Sequence, residues 1–154
     1  MDGGMRDLYQ QIILDHNKNP KNYGALEAPS HEADGYNPLC GDKLSLDLDV
    51  EQGVIKDVRF EGAGCAISKA SASVMTTILK GKSLAEAKEI FDKFQEMITA
   101  EPSEEIDAAA LGKLAVFSGV REYPSRVKCA SLAWHTAIAA MEKKDNESKV
   151  VSTE

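Results

Sequence analysis

Met5, Leu8, Tyr9, Ile12 and Ile13 recur at intervals of three and four, which predicts an amphipathic helix. That helix should stop near Asn17 to Asn19, ahead of Pro20. Residues 20–39 carry Pro20, Gly24, Pro29, Gly35 and Pro38 and read as a loop, in which no strand has enough periodicity to assign. The pattern then changes period. In LSLDLDV, residues 44–50, Leu44, Leu46, Leu48 and Val50 face one way while Ser45, Asp47 and Asp49 face the other, as in a half-buried strand. After a turn through Glu51, Gln52 and Gly53, VIKDVRF supplies a second strand with Val54, Val58 and Phe60 inward, giving an antiparallel hairpin.

From Ala66 to Lys80 the period is helical again, with Ile67, Ala70, Val74 and Ile78 on one stripe and Gly81 as terminator. The small residues of that helix, Ala70 to Ser73, allow close approach to a sheet. Ser83-Leu84-Ala85-Glu86 fits a capping box and opens a helix carrying Leu84, Ala87, Ile90, Phe91 and Phe94. A break at AEPSEE precedes a shorter helical pattern from about Ile106 to Phe117. Beyond Pro124, the positions Val127, Ala130, Ser131, Trp134, Ile138 and Met141 mark a final helix. The predicted fold is α+β: a small antiparallel β-sheet with helices packed on one face. Residues 1–142 are expected to form one domain, and the polar, aperiodic residues 143–154 a disordered tail.

Composition narrows the function classes. The length of 154 residues suits one domain with a substantial core. A formal charge of -7 and scattered basic residues speak against nucleic acid as a partner. No apolar run approaches the roughly 20 residues that span a bilayer, and the first residues lack a signal-peptide pattern. A cytoplasmic protein without a membrane partner is the expectation.

Three cysteines leave no complete disulfide framework, and there is no CxxC pair. Three unrelated buried thiols are the plain alternative, because free cysteine packs as a small hydrophobe. The placement argues otherwise. Cys40 stands in the turn NPLCGD, Cys65 follows the glycines of EGAGCAIS at a helix start, and Cys129 lies near the start of the last helix. Helix N-termini favour a thiolate, which is both the metal ligand and the nucleophile, so low thiol pKa values are expected at Cys65 and Cys129. Asp42, two residues after Cys40, offers a fourth ligand to a tetrahedral ion, although turn hydrogen bonding is the commoner use of such an aspartate. His135, six residues after Cys129, points away from it on a helix. His16 sits at a helix C-terminal end, where positive charge is favourable, and His31 lies in the loop.

Taken together, NPLCGD, EGAGCAIS followed by ASAS, and RVKCASLAW resemble the NifU-N/IscU-type proteins of iron–sulfur cluster biogenesis, as does the opening LYQQIILDHNKNPKNYG. The resemblance covers nearly all of residues 5–142. Lys128 stands where the scaffold type has a histidine, YPSRVK does not reproduce its LPPVK chaperone-docking motif, and the segment between Cys65 and Cys129 is longer by about one helix and its turn. Those departures resemble the SufU branch.

The resemblance implies a SufE/NifU-like fold and a zinc ion held by Cys40, Asp42, Cys65 and Cys129. It also implies sulfur transfer, with Cys40 accepting persulfide sulfur from a SufS-type cysteine desulfurase and passing it to the SufBCD-type scaffold complex. Arg126 and Lys128 would orient a partner or stabilise thiolates, or simply be solvated at a helix end. A scaffold on which the same ligands assemble a [2Fe–2S] cluster is the alternative, since thiolates suit both. A structural zinc adaptor is less favoured because a core of this size folds without metal, and a Cys–His hydrolase has no support in the spacing.

Overall fold

The structure is a computed structural model describing residues 2–38, 40–142 and 150–152. Its sheet is built on the predicted hairpin, β2 (Asp42–Glu51) and β3 (Val54–Ala63), with β1 (His31–Asn37) added antiparallel beside β2. A short β4 (Val150–Ser152) pairs parallel with the far side of β1, so the strand order is β3-β2-β1-β4. The helices are α1 (Asp2–Lys18), α2 (Ala66–Leu79), α3 (Leu84–Thr99), the single turn α4 (Ala108–Leu111) and α5 (Pro124–Glu142), with a 3-10 helix at Gly112–Glu122 before α5. This is the expected α+β architecture.

Leu44, Leu46 and Leu48 of β2 are buried as the alternation requires, beneath α5, while α2 packs on β3. On β3 the inward set is Ile55, Val58 and Phe60 rather than Val54, Val58 and Phe60. Pairing jumps from Val50–Ile55 to Asp49–Asp57, so Lys56 is an extra residue that turns Ile55 inward. Strand β1 lies within the segment expected to be a loop. It does alternate, with Ala33, Gly35 and Asn37 inward and Glu32, Asp34 and Tyr36 outward, but its inward residues are too small or polar to carry an apolar signal. Their small size has a use: a side chain at Gly35 would collide with Leu132 and Thr136 of α5, so α5 sits directly on β1.

Helix α5 is buried almost all round, from Cys129 to Ala137 except for half-buried His135. The single apolar stripe expected there was too narrow, because this helix lies between the sheet on one side and α2, α3 and the 3-10 helix on the others. Trp134 stacks on Phe94 of α3 with ring centroids 4.7 Å apart. Its indole N–H donates to Ser71 Oγ at 3.2 Å, and that hydroxyl donates to the Ala130 carbonyl at 2.6 Å. The small residues of α2 therefore serve helix packing as well as sheet packing.

Ser83 and Glu86 form the predicted capping box at the start of α3. The helix expected over Ile106 to Phe117 is instead α4 followed by the 3-10 helix. Gly112, at φ 58°, takes the left-handed conformation and interrupts α-helical geometry there. In the tail expected to be disordered, the β-branched Val150 and Val151 belong to β4; residues 143–149, 153 and 154 lie outside the described residues. Among the described residues, no helix is long and apolar enough to cross a membrane.

Candidate metal centre

Three local decisions bring the cysteines together. The chain turns back between Asn37 and Asp42, which are register partners at the ends of β1 and β2, and this places exposed Cys40 on the turn. β3 ends at Ala63, and Gly64 and Cys65 lead into α2 with Cys65 as its N-cap. Pro124 opens α5, its fixed φ suiting a first helical position, and the helix buries Cys129 in its second turn.

One oxygen of Asp42 and the sulfurs of Cys40 and Cys129 all lie within 4.8 Å of one another. Cys40 Sγ is 3.2 Å from Cys129 Sγ, and Cys65 Sγ is 3.8 Å from Asp42 Oδ2. Cys40, Asp42 and Cys129 thus form one mutual group, and Cys65, which is not part of it, borders it through Asp42. Zinc–sulfur bonds of about 2.3 Å in a tetrahedron space their ligand atoms roughly 3.8 Å apart; the chemistry of these donors suits such an ion, and Cys40, Asp42 and Cys129 already lie within 4.8 Å of one another.

Asp42 is wholly buried. Its Oδ1 accepts the Cys65 backbone N–H at 2.7 Å, and its Oδ2 accepts the side-chain amide of Asn37 at 3.3 Å. The same Asn37 nitrogen donates to Cys129 Sγ at 3.5 Å. The Ser68 N–H donates to Cys65 Sγ at 3.4 Å, the N-cap bond of α2. Gly64 packs against the Asp42 carboxylate so closely that any Cβ would overlap it, and its φ of 149° suits glycine alone.

The expected lowering of the Cys65 and Cys129 thiol pKa values is not what the structure gives. Burial pushes the Cys65 thiol up, against the opposing Ser68 N–H. Burial also raises Cys129, followed by the neighbouring Cys40, Cys65 and Asp42. Desolvation outweighs the helix terminus here.

No histidine joins the cluster among the described residues. His135 packs edge-on against Phe91, ring centroids 5.1 Å apart. His31 Nδ1 meets Ser30 Oγ at 2.8 Å. His16 is not the favourable helix-end cation anticipated: its Nδ1 lies 2.7 Å from Ser73 Oγ, and burial, then Lys21 and Lys113, lower its pKa. Arg126 lies over the Tyr123 ring at 4.4 Å, while Lys128 is half-buried.

Cys40, Cys65 and Cys129 line a groove of 1210 Å³ whose other walls include Tyr9 and Ile13 of α1, Ile106, Val120 and Arg126. Sequence reasoning missed Asn37, whose place before Pro38 reads as turn chemistry, and the wedge role of Gly64. Neither leaves a signal in hydrophobic periodicity.

Comparison with known proteins supplies the family. Residues 8–130 match the NifU-like N terminal domain. The chain is 41% identical over 127 residues to the zinc-dependent sulfurtransferase SufU of Bacillus subtilis, covering 82% of this chain and 84% of that protein. It is 39% identical over 136 residues to the iron–sulfur cluster assembly scaffold protein IscU of Thermotoga maritima, covering 88% and 94%. The crystal structure of FiSufU from Fervidobacterium islandicum AW-1 superposes with a TM-score of 0.79 at 36% identity, covering 89% of this chain and 98% of that one. With the sequence motifs, the fold and these relatives in agreement, the chain belongs to the NifU-like N terminal domain family, in its SufU branch.

Proposed function

We propose that this protein is a zinc-dependent sulfurtransferase of iron–sulfur cluster assembly, with Cys40 as the sulfur acceptor and Cys40, Asp42, Cys65 and Cys129 as the zinc ligands. The donor is a persulfide on a SufS-type cysteine desulfurase, and the recipient a SufBCD-type assembly complex. The observation that carries this reading is graded burial within one cluster: Cys40 is exposed on a turn beside the groove, Cys65 is half-buried, and Asp42 and Cys129 are buried. Such a set keeps two ligands in the fold while leaving one thiol within reach of a partner.

When bound, zinc supplies charge that keeps thiolates deprotonated at neutral pH. The Cys40 thiolate attacks the outer sulfur of the partner's persulfide, a step that follows the rules of thiol–disulfide exchange. A bond forms between that sulfur and Cys40 Sγ as the partner's sulfur–sulfur bond breaks. The partner's inner sulfur leaves as a thiolate, Cys40 becomes the persulfide, and no external oxidant or reductant is needed. Asp42 and Cys65 remain tied to each other through the Cys65 N–H, and α5 holds Cys129 in place.

Likeness to IscU of Thermotoga maritima favours a second reading, in which the same residues hold a [2Fe–2S] cluster during its assembly. Desulfurase turnover, followed as alanine release, separates the two. Strong stimulation by the zinc-loaded protein, lost on zinc removal and in Cys40→Ala, is the expected result. Inhibition by zinc, with a coloured cluster forming on the stripped protein and ferrous iron, would instead establish the scaffold.

A further inference from the structure

Asn37 ends β1 facing inward and is wholly buried. A buried carboxamide costs free energy unless it is hydrogen-bonded, and packing alone is better met by an apolar residue. Its side-chain nitrogen carries two hydrogens, and two acceptors lie within reach: Asp42 Oδ2 at 3.3 Å and Cys129 Sγ at 3.5 Å. The partners also fix the orientation of the amide. With its oxygen turned to that side, it would face a carboxylate and a sulfur, both acceptors when ionised.

Asp42 is consequently gripped at both oxygens, by the Cys65 N–H and by Asn37. Cys129, which comes from a distant helix, is tied through the same amide to the strand pair that carries Cys40 and Asp42. A single buried side chain thus couples two of the donors that converge here.

We propose that Asn37 is a positioning residue of this centre: its carboxamide aims the Asp42 carboxylate and the Cys129 sulfur at a common point and so sets how tightly the site holds a divalent ion. This deepens the zinc-binding reading above and rests on it. Groups that orient first ligands from behind typically contribute 10- to 100-fold in metal affinity, which is the loss expected on removing this one.

The test pairs a variant with a direct observation on the unaltered chain. Zinc affinity by chelator competition and the sulfur-to-metal absorption of the cobalt(II) form are measured for wild type and Asn37→Ala. At least a tenfold loss of affinity with a shifted cobalt band is expected. Equal affinity and an unchanged band would overturn the role of Asn37 while leaving the zinc site standing. A wild-type chain that binds neither zinc nor cobalt would overturn the site reading and this inference with it. Because Asn37→Ala leaves a cavity and risks misfolding, the wild type loaded with cadmium-113 provides the second readout. Scalar coupling from the metal through Cys129 Sγ to the Asn37 amide protons is expected, and its absence from a cadmium-loaded protein would sink the proposal.

Discussion

At the scale of single residues, the centre depends on small groups that would look incidental elsewhere. Gly64 is one. Alanine there places a Cβ inside the Asp42 carboxylate and requires a φ of 149°, so Gly64→Ala should destabilise the chain by more than about 1 kcal/mol and sharply reduce bound zinc. Thermal melting and metal content of the purified variant check both effects. Asp42 is another. Asp42→Ala removes the acceptor of the Cys65 N–H, and an orphaned backbone donor of this kind costs about 1–3 kcal/mol. The variant should therefore both melt earlier and lose zinc more readily; an unchanged melting temperature together with full zinc retention would contradict this account. Cys40→Ala is expected to behave differently. Its side chain is exposed on a turn, so the metal-free variant should unfold at the same denaturant concentration as the metal-free parent.

At the scale of elements, legibility followed hydrophobic contrast. The hairpin, α1, α2 and α3 were readable because large apolar residues recur at a fixed period in each. The capping box of α3 was readable because its two side chains bond each other's backbone locally, and Ser83→Ala should accordingly cost about 1 kcal/mol in a denaturant titration. Strand β1 was not readable, since the same small inward residues that admit α5 remove the pattern that announces a strand. The 3-10 helix was hidden because the sequence carries helical spacing on both sides of Gly112, and only its backbone conformation separates the two segments. The ligand set Cys40, Asp42, Cys65 and Cys129 was suggested by resemblance and by punctuated positions, and the structure groups Cys40, Asp42 and Cys129 with Cys65 at their border. Their mutual distances, their burial and the part played by Asn37 depend on long-range register that no local pattern encodes.

At the scale of the whole molecule, two half-buried imidazoles tie stability to pH. Burial lowers the pKa of His135, set against Phe91, and of His16, set against Ser73 with Lys21 and Lys113 nearby. Unfolding releases both to the ordinary value near 6.5, so the unfolded chain binds more protons below that pH. The histidine contribution to stability is therefore complete above about pH 6.5 and is lost as the pH falls through the lowered folded values. Denaturant titrations at pH 7.5 and 5.5, with chelator present throughout, should show weaker folding at the lower pH. His135→Gln should reduce that difference; an identical pH dependence in the variant would exclude His135 as a contributor.

The Trp134–Phe94 stack has a practical consequence. Trp134 is the protein's single tryptophan, and it is wholly buried on the same helix as Cys129, five residues further along. Its fluorescence is thus an internal gauge of core integrity. Metal uptake and sulfur loading can be followed by chemistry while this one emitter reports, in the same cuvette, whether the interior around α5 has stayed dry.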